Sequence, residues 1–151
     1  PLVGQVNRLR KKAAAGADFI QTQVVFDLAR FDAFMAAVRE HGIHERVPIR
    51  VGVMPIKSAK AFAMRGEVPG IKVDPGLPRR IEAASDKEAE GLKIAEEIIE
   101  HCRATKGVAG IHLMAPYWEA AVPVLLDRCR LAVTPAPASV EAAPAAGGTS
   151  C

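Results

Sequence analysis

Two spacings of apolar residues take turns along the chain. Val6, Leu9 and Ala13 recur as one face of a helix does, and so do Leu28, Phe31, Phe34, Met35 and Val38. Leu92, Ala95, Ile98, Ile99 and Cys102 repeat the pattern, as do Val122, Leu125, Leu126 and Cys129. Between these sets lie apolar runs of strand length, over residues 19–25, 48–54 and 108–114, the second carrying β-branched Ile49, Val51 and Val53. Gly16, Gly42 and Gly107 stand where helices end, and Asp27 and Ser58 where they begin. Ser85-Asp86-Lys87-Glu88 reads as a capping box, serine with glutamate three positions on, opening the long helix. Pro69, Gly70, Pro75, Gly76 and Pro78 make residues 66–78 an irregular loop, with a short helix over 79–84 after it.

The predicted order is helix, strand, helix, strand, helices, strand, helix. Strands alternating with helices imply right-handed crossovers and a parallel sheet. A complete eight-stranded α/β barrel takes ~250 residues. The expectation for residues 1–131 is therefore a partial (β/α)8 TIM barrel of about three strands, a small open α/β sheet being the alternative. Residues 132–151 are alanine, proline, glycine and serine with almost nothing bulky, which predicts a disordered tail. The chain opens Pro1-Leu2-Val3 without an initiator methionine, and is expected to be the C-terminal part of something longer.

Composition narrows the class. Of 151 residues half are hydrophobic and a quarter charged, as in one soluble domain, and the net charge of +3 is spread with mixed signs. Few aromatics and no recognisable motif argue against a nucleic-acid partner. Three cysteines, Cys102, Cys129 and Cys151, without metal or redox spacing suit a reducing, cytoplasmic compartment. No signal peptide or membrane-length apolar stretch is present. His41 and His44 lack a suitably spaced carboxylate or cysteine, so no metal site is expected.

Chemistry concentrates on the first strand. Gln21, Thr22 and Gln23 occupy its centre, where a doubly buried strand should be apolar. Buried amides need partners, from a neighbouring strand or from a ligand. Regular alternation puts Gln21 and Gln23 on one side and Thr22 on the other. In parallel α/β folds ligands sit at the carboxyl ends of strands. Those ends deliver Thr22, Gln23, Phe26 and Asp27, then Met54, Pro55 and Lys57-Ser58-Ala59-Lys60, then His112, Met114, Tyr117, Trp118 and Glu119. The mixture suits a flat heterocycle better than a sugar or a metal. The duller readings are a glutamine bonded within the barrel, a solvated basic helix face at Arg8 to Lys12, a satisfied buried His112 and a packing Trp118. There is no Gly-rich phosphate loop and no nucleophile elbow.

In combination and order, several stretches resemble methylenetetrahydrofolate reductase. They are Lys11-Lys12-Ala13-Ala14-Ala15-Gly16-Ala17-Asp18-Phe19-Ile20-Gln21-Thr22-Gln23, Phe26-Asp27, Gly52-Val53-Met54-Pro55, Glu90-Gly91-Leu92-Lys93-Ile94-Ala95 and Gly107-Val108-Ala109-Gly110-Ile111-His112. The ending His112-Leu113-Met114-Ala115-Pro116-Tyr117-Trp118-Glu119 is closer to an acetogen-like bacterial branch. The resemblance implies the C-terminal portion of that family's TIM barrel. It also implies FAD as cofactor, and hydride passed from NAD(P)H through the flavin to 5,10-methylenetetrahydrofolate, giving 5-methyltetrahydrofolate. Gln23 matches the residue that hydrogen-bonds the pterin. Arg8, Lys11 and Lys12 fall on the helix lining FAD, and Phe62 or Met64 falls near a position packing on folate and nicotinamide. Trp118 stands where some members place an arginine. The family's proton-donating acid and main flavin loops lie upstream, so this segment carries no catalytic residue and is expected to be inactive alone. Its partners would be the missing N-terminal barrel half and, beyond that, a homo-oligomer or an electron-supplying subunit. The alternatives are a pterin- or flavin-binding barrel module without redox chemistry, and an unrelated α/β barrel.

Overall fold

The computed structural model describes residues 2–132; of the expected disordered tail, 132–151, all but Ala132 lies outside the described residues. Helix α1 (Leu2–Ala14) leads into strand β1 (Ile20–Val24) through Gly16, whose φ of 87° is the left-handed value that favours glycine. Helices α2 (Leu28–Glu40) and α3 (Ile43–Arg46) precede β2 (Ile49–Val53). Helices α4 (Ala59–Gly66), α5 (Gly76–Ala83) and α6 (Lys87–Ala104) separate β2 from β3 (Val108–Leu113), and α7 (Ala121–Arg128) follows. The strands form one parallel sheet in the order β1-β2-β3. This is the arrangement of part of a TIM barrel.

The core lies on one side of the sheet. Ile49, Val51 and Val53 alternate onto that face and are completely buried. Against them pack the apolar stripes of α2 (Phe31, Met35, Val38) and α6 (Ile94, Ile98, Ile99, Cys102). On the opposite face, in the row Gln21–Arg50–Gly110, Gln21 and Arg50 are exposed. No described helix is both long and apolar enough to cross a membrane.

Several local readings change. The N-cap of α6 is Asp86, whose carboxylate accepts the Ala89 N–H at 2.9 Å, rather than Ser85. Helix α5 begins at Gly76, three residues before the predicted start, because Pro78 falls in its first turn, where a missing N–H costs nothing. The four-residue α3 was not anticipated. Gly91 is buried in α6 where the helix meets the β2–α4 turn. A Cβ there would overlap the Ile56 carbonyl oxygen. A tie on the outer surface holds α5 to α6: Arg80 bonds Glu90 and Glu97, each at 2.6 Å.

Candidate functional site

Strand β1 is not regular. Its pairing with β2 runs Ile20↔Ile49 and Gln21↔Arg50, then jumps to Val24↔Gly52, so Thr22 and Gln23 together oppose Val51. This is a β-bulge, a device that bends a strand and re-aims its side chains. The Thr22 hydroxyl closes the gap by accepting the Gly52 N–H at 3.0 Å and donating to the Gln23 carbonyl at 2.7 Å. Gly52 makes room: a Cβ there would lie 3.1 Å from the carbonyl oxygens of both Thr22 and Gln23. Thr22 therefore belongs to the ladder, whereas the Gln21 and Gln23 side chains are exposed.

Both glutamines line a groove of about 650 Å³ that follows the open edge of β1, with residues of α1 and α2 completing its lining. Arg8 and Lys12 reach it from α1, four residues apart and so on one helix face. Lys11 does not: it points into a separate cleft of about 460 Å³ with Asn7, Arg10 and Arg46. Two further cations in the groove were not anticipated, Arg30 of α2 and Lys72. Lys72 comes from the irregular segment after α4, which lies beside the end of β1. Val73 pairs with Phe26 there, and the Asp74 N–H donates to the Phe26 carbonyl at 3.0 Å. The one carboxylate in the lining is Asp27, engaged as the α2 N-cap by accepting the Arg30 N–H at 2.9 Å. Among the described residues the groove thus sets four cations against one occupied carboxylate, an arrangement suited to a ligand with anionic groups.

Phe62 and Met64 do not line this groove. Phe62 is buried, packed edge-on against Phe26 with ring centroids 5.2 Å apart, and is part of the core. Met64 is 60% exposed. At the carboxyl ends of β2 and β3, Lys57 lies over the half-buried Trp118 ring at 5.2 Å and pairs with Glu88 at 2.8 Å. Tyr117 beside it is 90% exposed with φ at 68°. His41 bonds the Ala37 carbonyl at 2.9 Å, and the His44 ring backs against Gly107. No group of three or more His, Cys, Asp or Glu converges among the described residues.

A parallel sheet backed by helices, its strands joined by helical crossovers, defines a segment of an α/β barrel. The family model described as "Methylenetetrahydrofolate reductase" matches residues 2–130. Methylenetetrahydrofolate reductase 1 of Schizosaccharomyces pombe is 31% identical over 83% of the chain and 21% of its own length. Methylenetetrahydrofolate reductase (NADH) 1 of Arabidopsis thaliana is 33% identical over 70% of the chain and 18% of its own length. For methylenetetrahydrofolate reductase 2 of Saccharomyces cerevisiae the values are 30%, 83% and 21%. The chain belongs to the methylenetetrahydrofolate reductase family, and spans about a fifth of the length of these curated relatives.

Proposed function

We propose that this chain is the folate-facing part of a cytoplasmic, flavin-dependent methylenetetrahydrofolate reductase that uses NAD(P)H. The observation that carries the reading is Gln23, exposed on a bulge at the carboxyl end of β1 in a groove lined by Arg8 and Lys12. FAD, when bound, supplies the group that takes hydride from the nicotinamide and gives it to the folate. The groove suits such a ligand in charge, because its cations outnumber its carboxylates. Arg8 and Lys12 would hold the pyrophosphate, which each can meet with charge-assisted hydrogen bonds. Gln23 would orient the pterin, its amide offering both a donor and an acceptor to a heterocycle edge. Lys11, which opens into the other cleft, has no part in this groove.

The groove's one carboxylate already caps a helix, and on this reading the acid that protonates the folate belongs to the upstream part of the barrel. On this reading the 151-residue chain is one part of the catalytic barrel. By itself it neither holds FAD tightly nor oxidises reduced nicotinamide. Gln23→Ala in the complete enzyme tests the assignment. Loss of one directed hydrogen bond should lower kcat/KM for methylenetetrahydrofolate by about tenfold or more while flavin absorbance is retained. Equal loss of folate turnover and flavin, with a lowered Tm, would make Gln23 a structural residue instead.

A further inference from the structure

The helix-free face of the sheet carries a charge that nothing described neutralises. Arg50 stands in the central strand between Gln21 of β1 and Gly110 of β3. Its guanidinium lies 4.7 Å from the centroid of the Phe19 ring, and Phe19 is itself 47% exposed. Among the described residues no carboxylate comes within ion-pair distance of it. A Cβ on neighbouring Gly110 would meet no atom within 4 Å, so the space beside Arg50 is open.

In a barrel this face is the interior. A guanidinium enclosed there is costly unless a counter-charge meets it, because desolvation of an unpaired ion is not recovered elsewhere. The partner's source follows from position. Arg50 is the second residue of β2, so it sits near the amino end of the strand, about 10 Å at 3.3 Å per residue from the carboxyl end at Val53. Ligands of α/β barrels gather at the carboxyl ends, while the amino-end layer serves stability. The relatives also contain ample chain beyond the fifth that this segment matches.

We propose that Arg50 is an assembly contact, pairing with an inward-facing aspartate or glutamate on one of the strands that complete the barrel, fused or separate. Phe19 lies against the guanidinium, and the open space over Gly110 admits the incoming carboxylate. The inference rests on the barrel reading above but not on the flavin chemistry, and the two fail separately.

The test uses the assembled barrel, this chain together with the polypeptide that supplies the other strands. Arg50→Glu should lower Tm by roughly 10 °C, and Arg50→Lys by much less. Replacing the facing carboxylate with arginine in the R50E background should restore most of the loss. If R50E gives no folded barrel, the reversed pair decides: recovery supports the contact and failure overturns it. An R50E barrel melting within roughly 2 °C of the parent overturns it, since an exposed arginine would behave so. A barrel with no inward Asp or Glu at that level overturns it as well. Stabilisation by inorganic phosphate that disappears in R50E would assign the site to an anionic ligand, and a dimeric parent with a monomeric R50E would assign it to a second copy. Flavin absorbance and nicotinamide oxidation, read on the same samples, report the functional reading independently.

Discussion

Gly91→Ala separates two principles that predict opposite signs. Gly91 lies inside α6, where replacing glycine by alanine should stabilise the helix by about 0.5–1 kcal/mol. Against this, the new Cβ would overlap the Ile56 carbonyl oxygen and sit 3.1 Å from its carbon and 3.4 Å from the Lys57 Cα. These are backbone atoms of the turn leading from β2 to α4, and no rotamer change moves them aside. The helix and the turn must separate, and overpacking of that kind costs ~1–3 kcal/mol. With the cost at the upper end, ~3 kcal/mol, less ~1 kcal/mol of propensity, the net loss is ~2 kcal/mol. For a domain of this size that is a drop of roughly 6 °C in Tm. Thermal and urea denaturation followed by far-UV circular dichroism would measure it. The internal control is Gly4→Ala in α1, where a Cβ meets nothing within 4 Å and stability should rise by a few tenths of a kcal/mol. A Gly91→Ala protein melting at or above the parent temperature would refute the argument, because the approach of α6 to the turn would then be loose.

Three other outcomes follow from the same geometry. Thr22→Val leaves the Gly52 N–H without its acceptor and should cost ~1–2 kcal/mol, with faster hydrogen exchange at that amide, while Thr22→Ser should cost much less. Arg80→Ala should cost about 1 kcal/mol at neutral pH, a modest figure because solvent screens this partly exposed tie. The Glu97 carboxyl is held below its ordinary value of 4.5 chiefly by its hydrogen bond to Arg80, against desolvation, which raises it. A folded-state value below the unfolded one stabilises above the unfolded value and is lost as pH falls through the folded one. The gap between parent and Arg80→Ala should therefore shrink in melts run progressively below pH 4.5. Burial pushes the Cys102 thiol up to about 12 and raises Cys129 as well, so neither should react with a disulfide reagent at pH 8 until the protein unfolds, as site-resolved mass spectrometry would show.

What could be read in advance followed the periodicities. The three strands were visible because Ile49, Val51 and Val53, and their counterparts, are strand-length apolar runs between glycine and proline stops. The long helices were visible because Leu92 to Cys102 repeats on one face. The bulge was not visible, since a side-chain hydroxyl standing in for a main-chain acceptor leaves no mark on alternation. Lys11 and Lys12 look like a pair on paper, yet about 100° of helical rotation separates neighbours and sends them to different clefts. Asp86 and Ser85 are both good caps, and only backbone direction decides which oxygen reaches the Ala89 N–H. Phe62 carries the same aromatic character whether it meets a ligand or the core, and contact with Phe26 put it in the core. Lys72 had no signal, because its place depends on how an irregular segment returns to β1. Pro78 marks a loop by composition, yet proline is equally compatible with the first turn of a helix.

The crossover from β2 to β3 runs from Met54 to Gly107, far beyond the dozen or so residues that a parallel connection requires. Joining two strands across so long a stretch is entropically slow, and parallel pairing of this kind delays folding. The Arg80 bonds to Glu90 and Glu97 span only ten and seventeen residues. They can therefore form while β3 is still free, and gather α5 onto α6 before the strands meet. A surface tie of this sort contributes little to the finished molecule, yet formed early it would shorten the effective tether over which β3 searches for its place beside β2.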